Sequence, residues 1–391
     1  MKKLFWAANT YWNSPFQVGA QHLAKQFLAD GWQVVFVSDP ISPLHFLQSS
    51  TAFSAKDRFK SWYAGGHRDF SDNLIYYSPL TLLTPHNKPV LRSQWVLDHW
   101  HRLTVPSIKR FLQKNDFQGV DLLITDTVTG HIWKRLIDAK KHVFRVTDNS
   151  MGFTKMTPQM QKKERDCINA ADLVTCTSKA IASQLQAMGA KSTLYLPNGV
   201  DLDQYSRPAG ILPQEYQSIK RPIAVYVGAI DEWFDYELIN YASEIRQDIS
   251  FVLIGPDAMA QTKIVKRHNV FILGAKPNAT VPNYLYHADM GLIPFDVKNH
   301  KTLVDYISPL KLYEYMASGL PVLSVKWQEL VGLNSPAVLY ASQHEFFAGL
   351  DKIIADDFSW TRENKLHFVE YAQKNSWQSR YQLLSAELAR L

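Results

Sequence analysis

Residues 308–324, SPLKLYEYMASGLPVLS, have the pattern of a short helix that leads directly into a buried strand. Ser308 suits the capping position, Pro309 suits the first helical position, and Gly319 suits the left-handed position just after a helix. These residues predict a helix over residues 309–318, followed by an apolar strand. A helix that runs into a wholly apolar strand is typical of the βα repeat, in which parallel strands are buried on both faces.

Apolar runs of strand length alternate with longer helix-like segments along the chain, in two separate sets. The first set comprises LFWAAN (4–9), QVVFVS (33–38), LLIT (122–125), HVFRVT (142–147) and LVTCTS (173–178). The second set comprises IAVYVGA (223–229), FVLIGP (251–256), VFILG (270–274), MGLIPF (290–295) and LPVLSV (320–325). The alternation predicts an α/β fold with two Rossmann-like, doubly wound parallel-sheet domains that face each other across a cleft. Because ligands of such sheets bind at the carboxyl ends of the strands, we expect the function to lie between the two halves.

A stretch rich in turn-forming residues separates the two sets of strands. It contains LPNGVD (196–201), followed by Pro208, Gly210 and Pro213, and it marks the predicted domain boundary. The predicted division is an N-terminal Rossmann-like domain over 1–200, a C-terminal Rossmann-like domain over 201–375, and a C-terminal helix over 376–391 that packs back on the N-terminal domain. A length of 391 residues favours such a two-domain chain over a single core.

The composition indicates a soluble, globular protein, because 46% of the residues are hydrophobic and 20% are charged. No run approaches the roughly 18 consecutive apolar residues of a membrane-spanning helix, so we expect a cytoplasmic protein. Residues 1–200 carry 24 Lys and Arg against 14 Asp and Glu, whereas residues 201–391 carry 18 against 22. A basic half can meet nucleic acid, an anionic membrane face or a phosphorylated substrate, or it can be an ordinary solvated surface. The basic half contains no recognisable nucleic-acid-binding motif, so nucleic acid is not a predicted partner.

The sequence predicts no metal site. The two cysteines, Cys167 and Cys176, match no zinc or redox spacing, and we expect them to be reduced and structural. The D-x-D triplet at 201–203 lies in the linker pattern, not after a nucleotide-binding strand. The pair His99-x-His101 has an acidic neighbour, but it falls in a predicted amphipathic helix that includes Leu97 and Trp100, and we expect no zinc there.

Two charged residues, Lys311 and Glu314, lie inside the otherwise apolar predicted helix, one turn apart. In the first turn the helix dipole already presents positive charge, so a lysine there is unfavourable by a few tenths to about 1 kcal/mol unless an anion binds. A carboxylate one turn later can accept hydrogen bonds from two neighbouring sugar hydroxyls. A phosphate site beside a ribose site would bind a nucleotide. The alternative is a simple intrahelical ion pair, which stabilises a helix by less than about 0.5 kcal/mol.

The stretch also resembles the donor-nucleotide signature of two-domain glycosyltransferases of the GT-B fold (the family 4-like signature), in which a Lys and a nearby Glu precede an A-x-G-x-P-V-like run. LPNGVD (196–201) is similar to the N-G-V-D element at the same junction in those enzymes. The resemblance implies that the C-terminal half binds a sugar nucleotide, that the N-terminal half binds the acceptor, and that neither a metal nor another cofactor is needed. It implies that Lys311 contacts the diphosphate or the donor sugar and that Glu314 contacts the ribose. The expected donor-binding residues are Gly228, Ile230, Phe295, Pro309, Leu310, Lys311 and Glu314.

A second stretch, HVFRVTDNS (142–150), ends a predicted strand with a carboxylate at its carboxyl edge. It resembles the Y-R-x-x-D segment of the bacterial xanthan-type glucuronosyltransferase family, with Phe144 in place of Tyr, and the resemblance implies that Asp148 is the catalytic base. A positioned carboxylate can take the proton of an acceptor hydroxyl as that hydroxyl attacks the anomeric carbon. The alternative is that Asp148 caps the next helix or turn. Arg145 either pairs with a buried acid or covers the sheet, and it has no assigned role.

The loop after the first strand supplies the acceptor-side candidates. Ser14 and Gln17 have the spacing of a capping box, which predicts that a helix starts there. In glycosyltransferases of the GT-B fold the equivalent loop lies near the acceptor and the donor phosphates, which makes Asn13, Gln17 and Gly19 candidate acceptor-side residues. A purely structural capping role is the alternative. One glycine is not the G-x-G-x-x-G fingerprint, so a nicotinamide-dependent oxidoreductase is not indicated.

The segment 86–115 mixes basic and aromatic side chains in the manner of a membrane-interface segment, with a solvated helix as the alternative. We therefore expect a glycosyltransferase that moves a sugar from a nucleotide-diphosphate donor to a hydroxyl of a carbohydrate or lipid-linked oligosaccharide, in bacterial polysaccharide or glycolipid synthesis. A UDP-sugar is the favoured donor, with UDP-glucuronate as a specific candidate. Peripheral contact with the inner membrane is a further expectation. The alternative is a non-catalytic subunit of the same fold that binds a nucleotide sugar or a glycan.

Overall fold

The computed structural model describes residues 1–14, 17–47, 49–69, 73–86, 88–149, 157–206, 210–355 and 362–391. The chain divides into two compact units. Unit 1 consists of residues 1–197 together with 381–391, and unit 2 consists of residues 198–380. The predicted domain boundary lay after residue 200, and the predicted C-terminal helix began at residue 376.

The strands alternate with helices as the apolar runs predict. The strands are β1 (Lys3–Ala8), β2 (Gln33–Ser38), β3 (His67–Asp69), β4 (Leu74–Tyr77), β5 (Gly119–Thr125), β6 (Asp138–Val146), β7 (Leu173–Cys176), β8 (Thr193–Tyr195), β9 (Ile223–Val227), β10 (Ser250–Ile254), β11 (Val270–Gly274), β12 (Met290–Ile293), β13 (Val322–Val325) and β14 (Val338–Tyr340). The helices are α1 (Gly19–Ala29), α2 (Pro43–Leu47), α3 (Ser49–Tyr63), α4 (Gln94–His99), α5 (Ile108–Asn115), α6 (Trp133–Leu136), α7 (Pro158–Ala170), α8 (Lys179–Ala187), α9 (Leu202–Tyr205), α10 (Tyr236–Ile245), α11 (Ala260–Lys263), α12 (Val281–Tyr286), α13 (Lys301–Val304), α14 (Leu310–Ala317), α15 (Gln328–Gly332), α16 (Gln343–Ala355), α17 (Arg362–Lys374) and α18 (Trp377–Arg390). Short 3-10 helices lie at Trp100–Leu103, Val128–Ile132, Gln214–Ser218 and Asn278–Thr280.

Unit 1 is built on a sheet with the strand order β3-β4-β2-β1-β5-β6-β7-β8. Its described pairs are parallel except for β3 with β4. The chain proceeds from β1 to β2 on one side and returns to β5 on the other, so the winding reverses between β1 and β5. Leu4, Phe5 and Trp6 in β1 are fully buried, which explains why the strand is a continuous apolar run with no alternation.

Unit 2 is built on a sheet with the strand order β11-β10-β9-β12-β13-β14, and its described strand pairs are all parallel. Its winding reverses between β9 and β12. The predicted fold class, two doubly wound parallel sheets with flanking helices, is therefore confirmed. In the part of the chain that the structure describes, no helix combines the length and the hydropathy of a membrane span.

The two predicted helix starts are wrong in detail. Helix α1 begins at Gly19, with Val18 in the capping position, and the backbone N–H of Val18 donates to the Gln21 side chain over 3.1 Å. The Gln17 amide instead donates to the carbonyls of Trp12 and Ser14, so it closes the loop and does not cap a helix. Residues 15 and 16, which the prediction placed in the first turn, lie outside the described residues.

Helix α14 begins at Leu310, one residue later than predicted, and Pro309 occupies its capping position. Ser308, the predicted cap, uses its hydroxyl elsewhere, because Ser308 Oγ accepts a hydrogen bond of 3.0 Å from the Asn198 backbone N–H. The Asn198 side chain also donates to the Ser308 carbonyl over 3.0 Å. These two bonds attach the linker element to the chain segment that enters α14, an arrangement that only the fold reveals.

Candidate active site

The Lys311 side chain lies at the point where the winding of the unit 2 sheet reverses. Lys311 is the second residue of α14, and its Nζ is 5.3 Å from the ring centroid of Tyr226 in β9 and 5.5 Å from that of Phe295, just after β12. Ligands of doubly wound sheets bind at the carboxyl ends of the strands on either side of such a reversal. Within the described residues Lys311 forms no ion pair within 4.0 Å, and two aromatic faces adjoin its ammonium.

Gly228 leaves the space that the Lys311 side chain occupies, and Gly255 leaves the space for the Gly228 backbone. Gly228 follows β9 with φ +143°, and a Cβ built on it would lie 2.3 Å from Lys311 Cε. Gly255 follows β10 with φ +157°, and its Cβ would lie 1.9 Å from the Gly228 carbonyl oxygen. Glycine is the residue that adopts these backbone angles without steric cost. The strand ends therefore approach each other closely, and the backbone of Gly228 lies directly against the lysine.

Lys311 and Glu314 perturb each other electrostatically. Burial lowers the pKa of Lys311, and the charge of Glu314 opposes that shift. Burial likewise raises the pKa of Glu314, and both Lys311 and a hydrogen bond with Tyr205 oppose the rise. Each charge thus stabilises the charged form of the other in a partly desolvated place. No carboxylate bonds directly to the ammonium in the described part of the chain, so a bound anion would find a cation ready to pair with it.

The other predicted donor residues surround the same point of unit 2. Pro309 and Leu310 begin α14, and no side chain caps this helix start, which leaves its first-turn N–H groups for a ligand or water. The ring of Phe295 is buried beneath the Lys311 ammonium. The Ile230 side chain is buried in the core, so a direct donor contact there would use its backbone. The structure thus brings the predicted donor residues to one end of one sheet.

Asp148 lies two residues beyond the end of β6, and its side chain is exposed. Asp148 Oδ2 accepts a hydrogen bond of 2.8 Å from the Thr147 hydroxyl. Helix α7, the next helix in the described residues, is capped by Thr157, whose Oγ1 accepts from the Met160 N–H over 3.3 Å. Asp148 therefore does not cap α7, so the alternative that it caps this helix is excluded. Its role as the catalytic base stays a prediction.

Arg145, which had no assigned role, pairs with a buried acid. Its Nη1 lies 3.8 Å from Asp126 Oδ2, and the side chains of both residues are almost wholly buried. The indole N–H of Trp6 donates to the same carboxylate over 3.0 Å. Burial raises the pKa of Asp126 to about 6, although Arg145 and Trp6 oppose the rise. Asp126 Oδ1 and Arg145 Nε are buried without a hydrogen-bond partner, so this pair is not fully satisfied.

A second buried carboxylate, Asp39, follows β2 at the same edge of the unit 1 sheet. Its Oδ1 accepts hydrogen bonds from the hydroxyls of Thr127, over 3.2 Å, and Thr129. Burial raises the pKa of Asp39, and these hydroxyls oppose the rise. Sequence reasoning missed both Asp39 and Asp126, although each directly follows an apolar strand, as Asp148 nearly does. That repeated position at strand ends was the signal available in the sequence.

The acceptor-side candidates are held within their own loop or the adjacent sheet. The Asn13 side-chain amide donates to the Tyr76 hydroxyl over 2.9 Å. The Gln17 amide closes its loop, as described above, and Gly19 is the buried first residue of α1. These contacts favour the structural role for Gln17, whereas Asn13 remains exposed at the carboxyl edge of unit 1.

The described residues contain no cluster of three or more His, Cys, Asp or Glu side chains that could hold a metal ion. Asp201, the first residue of the D-x-D triplet, caps α9, and its Oδ1 accepts from the Gln204 N–H over 3.3 Å. Cys167 and Cys176 are both buried, and the Cys176 thiol donates to the Leu194 carbonyl over 3.7 Å. The triplet is thus part of a helix cap.

Two doubly wound parallel sheets in sequence, with a lysine at the helix start beside the reversal of the second, define a protein of the GT-B class. Two family models match the chain. Residues 6–177 match the model "Glucuronosyltransferase GumK, N-terminal domain", and residues 221–356 match the model "Glycosyl transferases group 1". Together with the fold, these matches make the chain a GT-B protein that is similar to glycosyltransferases, with similarity to GumK in its first unit.

One curated relative is TuaH of Bacillus subtilis (strain 168), whose name assigns it to teichuronic acid biosynthesis as a glycosyltransferase. The two proteins are 25% identical over 211 residues, which cover 51% of this chain and 52% of TuaH. The chain thus matches about half the length of this relative.

Solved structures share the whole fold at low sequence identity. The sucrose-phosphate synthase of Thermosynechococcus elongatus is 16% identical with a TM-score of 0.69, and the match covers 100% of this chain and 98% of that one. Anabaena HepE in complex with UDP-glucose is 15% identical with a TM-score of 0.65, and the match covers 100% of both chains. At these identities the likeness shows the fold.

Proposed function

We propose that this protein transfers a sugar from a UDP-sugar to a hydroxyl of a carbohydrate or lipid-linked oligosaccharide, in bacterial polysaccharide or glycolipid synthesis. The observation that carries the proposal is the Lys311 ammonium, which rests on two aromatic rings at the sheet reversal without a carboxylate partner among the described residues. The model that residues 6–177 match is the N-terminal domain of a glucuronosyltransferase, and HepE, of the same fold, is a protein solved with UDP-glucose. We propose UDP-glucuronate as the first donor to test.

In the proposed reaction the acceptor oxygen forms a bond to the anomeric carbon while the bond from that carbon to the diphosphate breaks. Asp148 takes the proton of the attacking hydroxyl. Lys311 and the uncapped start of α14 stabilise the negative charge that develops on the leaving diphosphate. Glu314 accepts hydrogen bonds from the ribose hydroxyls. Since these groups supply the charge stabilisation, we propose that the enzyme needs no divalent metal, and we expect turnover to survive an excess of EDTA.

The acceptor is proposed from the side chains of unit 1. Trp95 and Val105 are 55% and 56% exposed, within the segment 86–115 that has the composition of an interface segment. Such exposed apolar side chains favour a lipid-linked acceptor that is reached at the membrane surface. We propose a peripheral site of action on the cytoplasmic face of the inner membrane.

The donor site is tested by calorimetric titration of UDP, GDP, ADP and their common sugars into the wild type, Lys311→Ala and Lys266→Ala. Lys266 is an exposed lysine of the same unit and serves as the matched control. We expect UDP-glucuronate or another UDP-sugar to bind the wild type and the control equally. In Lys311→Ala we expect the affinity to fall about tenfold to a hundredfold, because a hydrogen bond to a charged group contributes about 1.5–3 kcal/mol.

Thermal unfolding provides a second readout of the same site. A ligand at 100 times its dissociation constant adds about 2.7 kcal/mol to the free energy of unfolding. The absence of binding by every nucleotide, or equal binding by the wild type and Lys311→Ala, would contradict the proposed donor site. Turnover with another UDP-sugar and none with UDP-glucuronate would remove only the glucuronosyl assignment.

A further inference from the structure

A cavity of about 390 Å³ lies in unit 1 at the junction of three helical segments. Arg102 contributes from the 3-10 helix at Trp100–Leu103, Lys109 from the first turn of α5, and Arg135 from α6. None of these cations belongs to the Lys311 site of unit 2. The cavity is therefore a basic site that the proposed donor chemistry does not use.

The three cations have no acidic partner within the described part of the chain. No ion pair within 4.0 Å involves Arg102, Lys109 or Arg135 there, and all three side chains are exposed. The cavity also contains one carboxylate, Asp98, but that group is already engaged. Its Oδ1 lies 2.8 Å from Lys163 Nζ and 2.9 Å from His131 Nε2. Three cations and one carboxylate give the lining a net charge of about +2, and Lys163, which pairs with Asp98 from outside the lining, adds one more positive charge nearby.

Two neutral polar groups, His101 and Ser107, also line the cavity. His101 Nδ1 is buried without a hydrogen-bond partner. Burial and the neighbouring positive charges, Arg102 first, lower the pKa of His101 to about 4, so the ring is neutral at pH 7. The Ser107 hydroxyl lies at the start of α5 and makes no capping bond to that helix. An anion in the cavity would therefore meet hydrogen-bond donors as well as charge.

We propose that this cavity binds a phosphate or diphosphate group. Arginine guanidinium groups present paired N–H donors that match phosphate oxygens, and lysine adds a compact positive charge. Exposed apolar side chains border the site: Trp95 stacks on His99, with ring centroids 5.3 Å apart, and Val105 precedes Ser107 by two residues. This border fits a phosphoryl group that is carried by a lipid better than one free in solution.

The test compares two variants that each lose three exposed cations from unit 1. The cavity variant is Arg102→Gln, Lys109→Gln and Arg135→Gln. The control is Lys162→Gln, Arg165→Gln and Lys191→Gln, whose wild-type side chains are exposed and do not line the cavity. Both variants carry Lys311→Ala, as does the reference protein, so that the proposed donor site cannot bind the probe. Circular dichroism and the unfolding midpoint establish that both variants are folded.

Two probes separate the sources of the phosphoryl group. Inorganic pyrophosphate is titrated by calorimetry, and vesicles of phosphatidylcholine, with or without one-third phosphatidylglycerol, are used in co-sedimentation. We expect the reference to bind the anionic vesicles and the cavity variant to bind them on the order of a hundredfold more weakly. The control should stay within about threefold of the reference. Loss of pyrophosphate binding in the cavity variant alone would assign the site to soluble phosphates and still support it.

Three results would overturn the proposal. The first is no binding of either probe by the reference, and the second is equal binding by the cavity variant and the reference. The third is an equal loss of probe binding in both variants, which would mean that the net charge of the protein, and not the cavity, causes the binding. Since the UDP titration of the otherwise wild-type protein is a separate measurement, failure of this site and failure of the donor site are distinguishable.

Discussion

At the residue scale, the donor site depends on the close contact between Gly228 and the Lys311 side chain. Lys311 Cε lies 2.3 Å from the position that the Cβ of any other residue at position 228 would take. A methyl group there would force the end of the lysine side chain to shift, and φ +143° at Gly228 also disfavours a side chain. The lysine would have to leave its place between the two aromatic rings. Gly228 is thus required by the position of a neighbour as much as by its own backbone.

Gly228→Ala is expected to weaken UDP binding at least as much as Lys311→Ala, because it displaces the same ammonium. The matched control is Gly210→Ala, since Gly210 also has a positive φ, +68°, but no atom lies within 4 Å of the position that its Cβ would take. Calorimetric titration of both variants with UDP checks the prediction. Equal affinity in Gly228→Ala and Gly210→Ala would show that backbone strain alone, and not displacement of Lys311, explains any loss.

Asp148→Asn is expected to abolish most turnover while leaving UDP binding unchanged. Removing a general base typically costs two to four orders of magnitude in rate, or about 10²–10⁴-fold. Product formation from a radiolabelled donor measures the rate, and the UDP titration measures binding. A wild type that binds UDP but shows no turnover with any donor and acceptor would instead favour the non-catalytic, glycan-binding alternative. Unchanged turnover in Asp148→Asn would assign the base elsewhere.

At the element scale, β5 and β6 are joined by a buried ion pair as well as by their backbone ladder. Asp126 follows β5 and Arg145 lies in β6, 4% exposed. Arg145→Met is expected to destabilise the protein by about 3 kcal/mol at pH 7, because it leaves a buried carboxylate without its cation. Denaturant unfolding measures the loss.

The same pair predicts a pH dependence and a rescue. Burial raises the pKa of Asp126 to about 6 in the intact pair, where Arg145 opposes the rise, so Arg145→Met raises this pKa further. The carboxyl of the variant therefore takes up a proton at a higher pH, and the Arg145→Met penalty should shrink as the pH falls toward 6. The double variant Asp126→Asn, Arg145→Met should recover most of the stability at pH 7, since it buries no charge. An equal loss in the single and double variants would mean that packing, not charge, causes it.

His142 gives unit 1 a second pH-dependent contribution because its ring is buried, with Nε2 3.0 Å from the Thr125 hydroxyl. Burial lowers the pKa of His142 to about 4, whereas an unfolded histidine titrates near pH 6.5. Between these values the unfolded chain binds a proton that the folded chain does not, so stability falls as the pH falls. As the pH falls through this window, the free energy of unfolding should decrease by about 1.4 kcal/mol less per pH unit in His142→Gln than in the wild type. Urea unfolding at several pH values checks the difference in slope, and parallel pH profiles would contradict it.

At the scale of the whole molecule, the chain completes its first unit with its last residues. Residues 381–391 belong to unit 1, although the helix that contains them, α18, starts in unit 2. The Tyr381 ring packs on Phe27 with centroids 4.8 Å apart, and its hydroxyl donates to Asp30 over 2.5 Å. Leu384 is 1% exposed, whereas its neighbour Leu383 is 43% exposed. The end of the chain is therefore part of the structure of unit 1.

Leu384→Ala is expected to lower the free energy of unfolding of unit 1 by about 2–5 kcal/mol, the cost of emptying a buried leucine site. Leu383→Ala, one residue away on the same helix, should change it by less than about 0.5 kcal/mol. Denaturant unfolding followed by Trp fluorescence measures both variants. Similar values for the two leucines would show that α18 does not stabilise unit 1 through Leu384.

Local patterns of the sequence determined the fold class and the donor candidates. The apolar strand runs and the βα alternation can be recognised in the sequence because a strand that is buried on both faces is apolar along its whole length. This holds whichever strand it pairs with. Lys311 and Glu314 could be singled out because they are charged residues in an apolar helix. The short strands β3, β4, β8 and β14 were missed.

Only the tertiary structure decided which of these residues meet. The place of Lys311 against Gly228, the pairing of Arg145 with Asp126, and the membership of residues 381–391 in unit 1 join segments that are far apart in the chain. Such contacts depend on strand order and winding, which the sequence expresses only through the summed packing of the whole core. The sequence by itself determined a two-sheet α/β chain with a charged helix start. The fold decided that the start of α14 lies where the winding of the unit 2 sheet reverses, the position at which the Lys311 charge can meet a bound ligand.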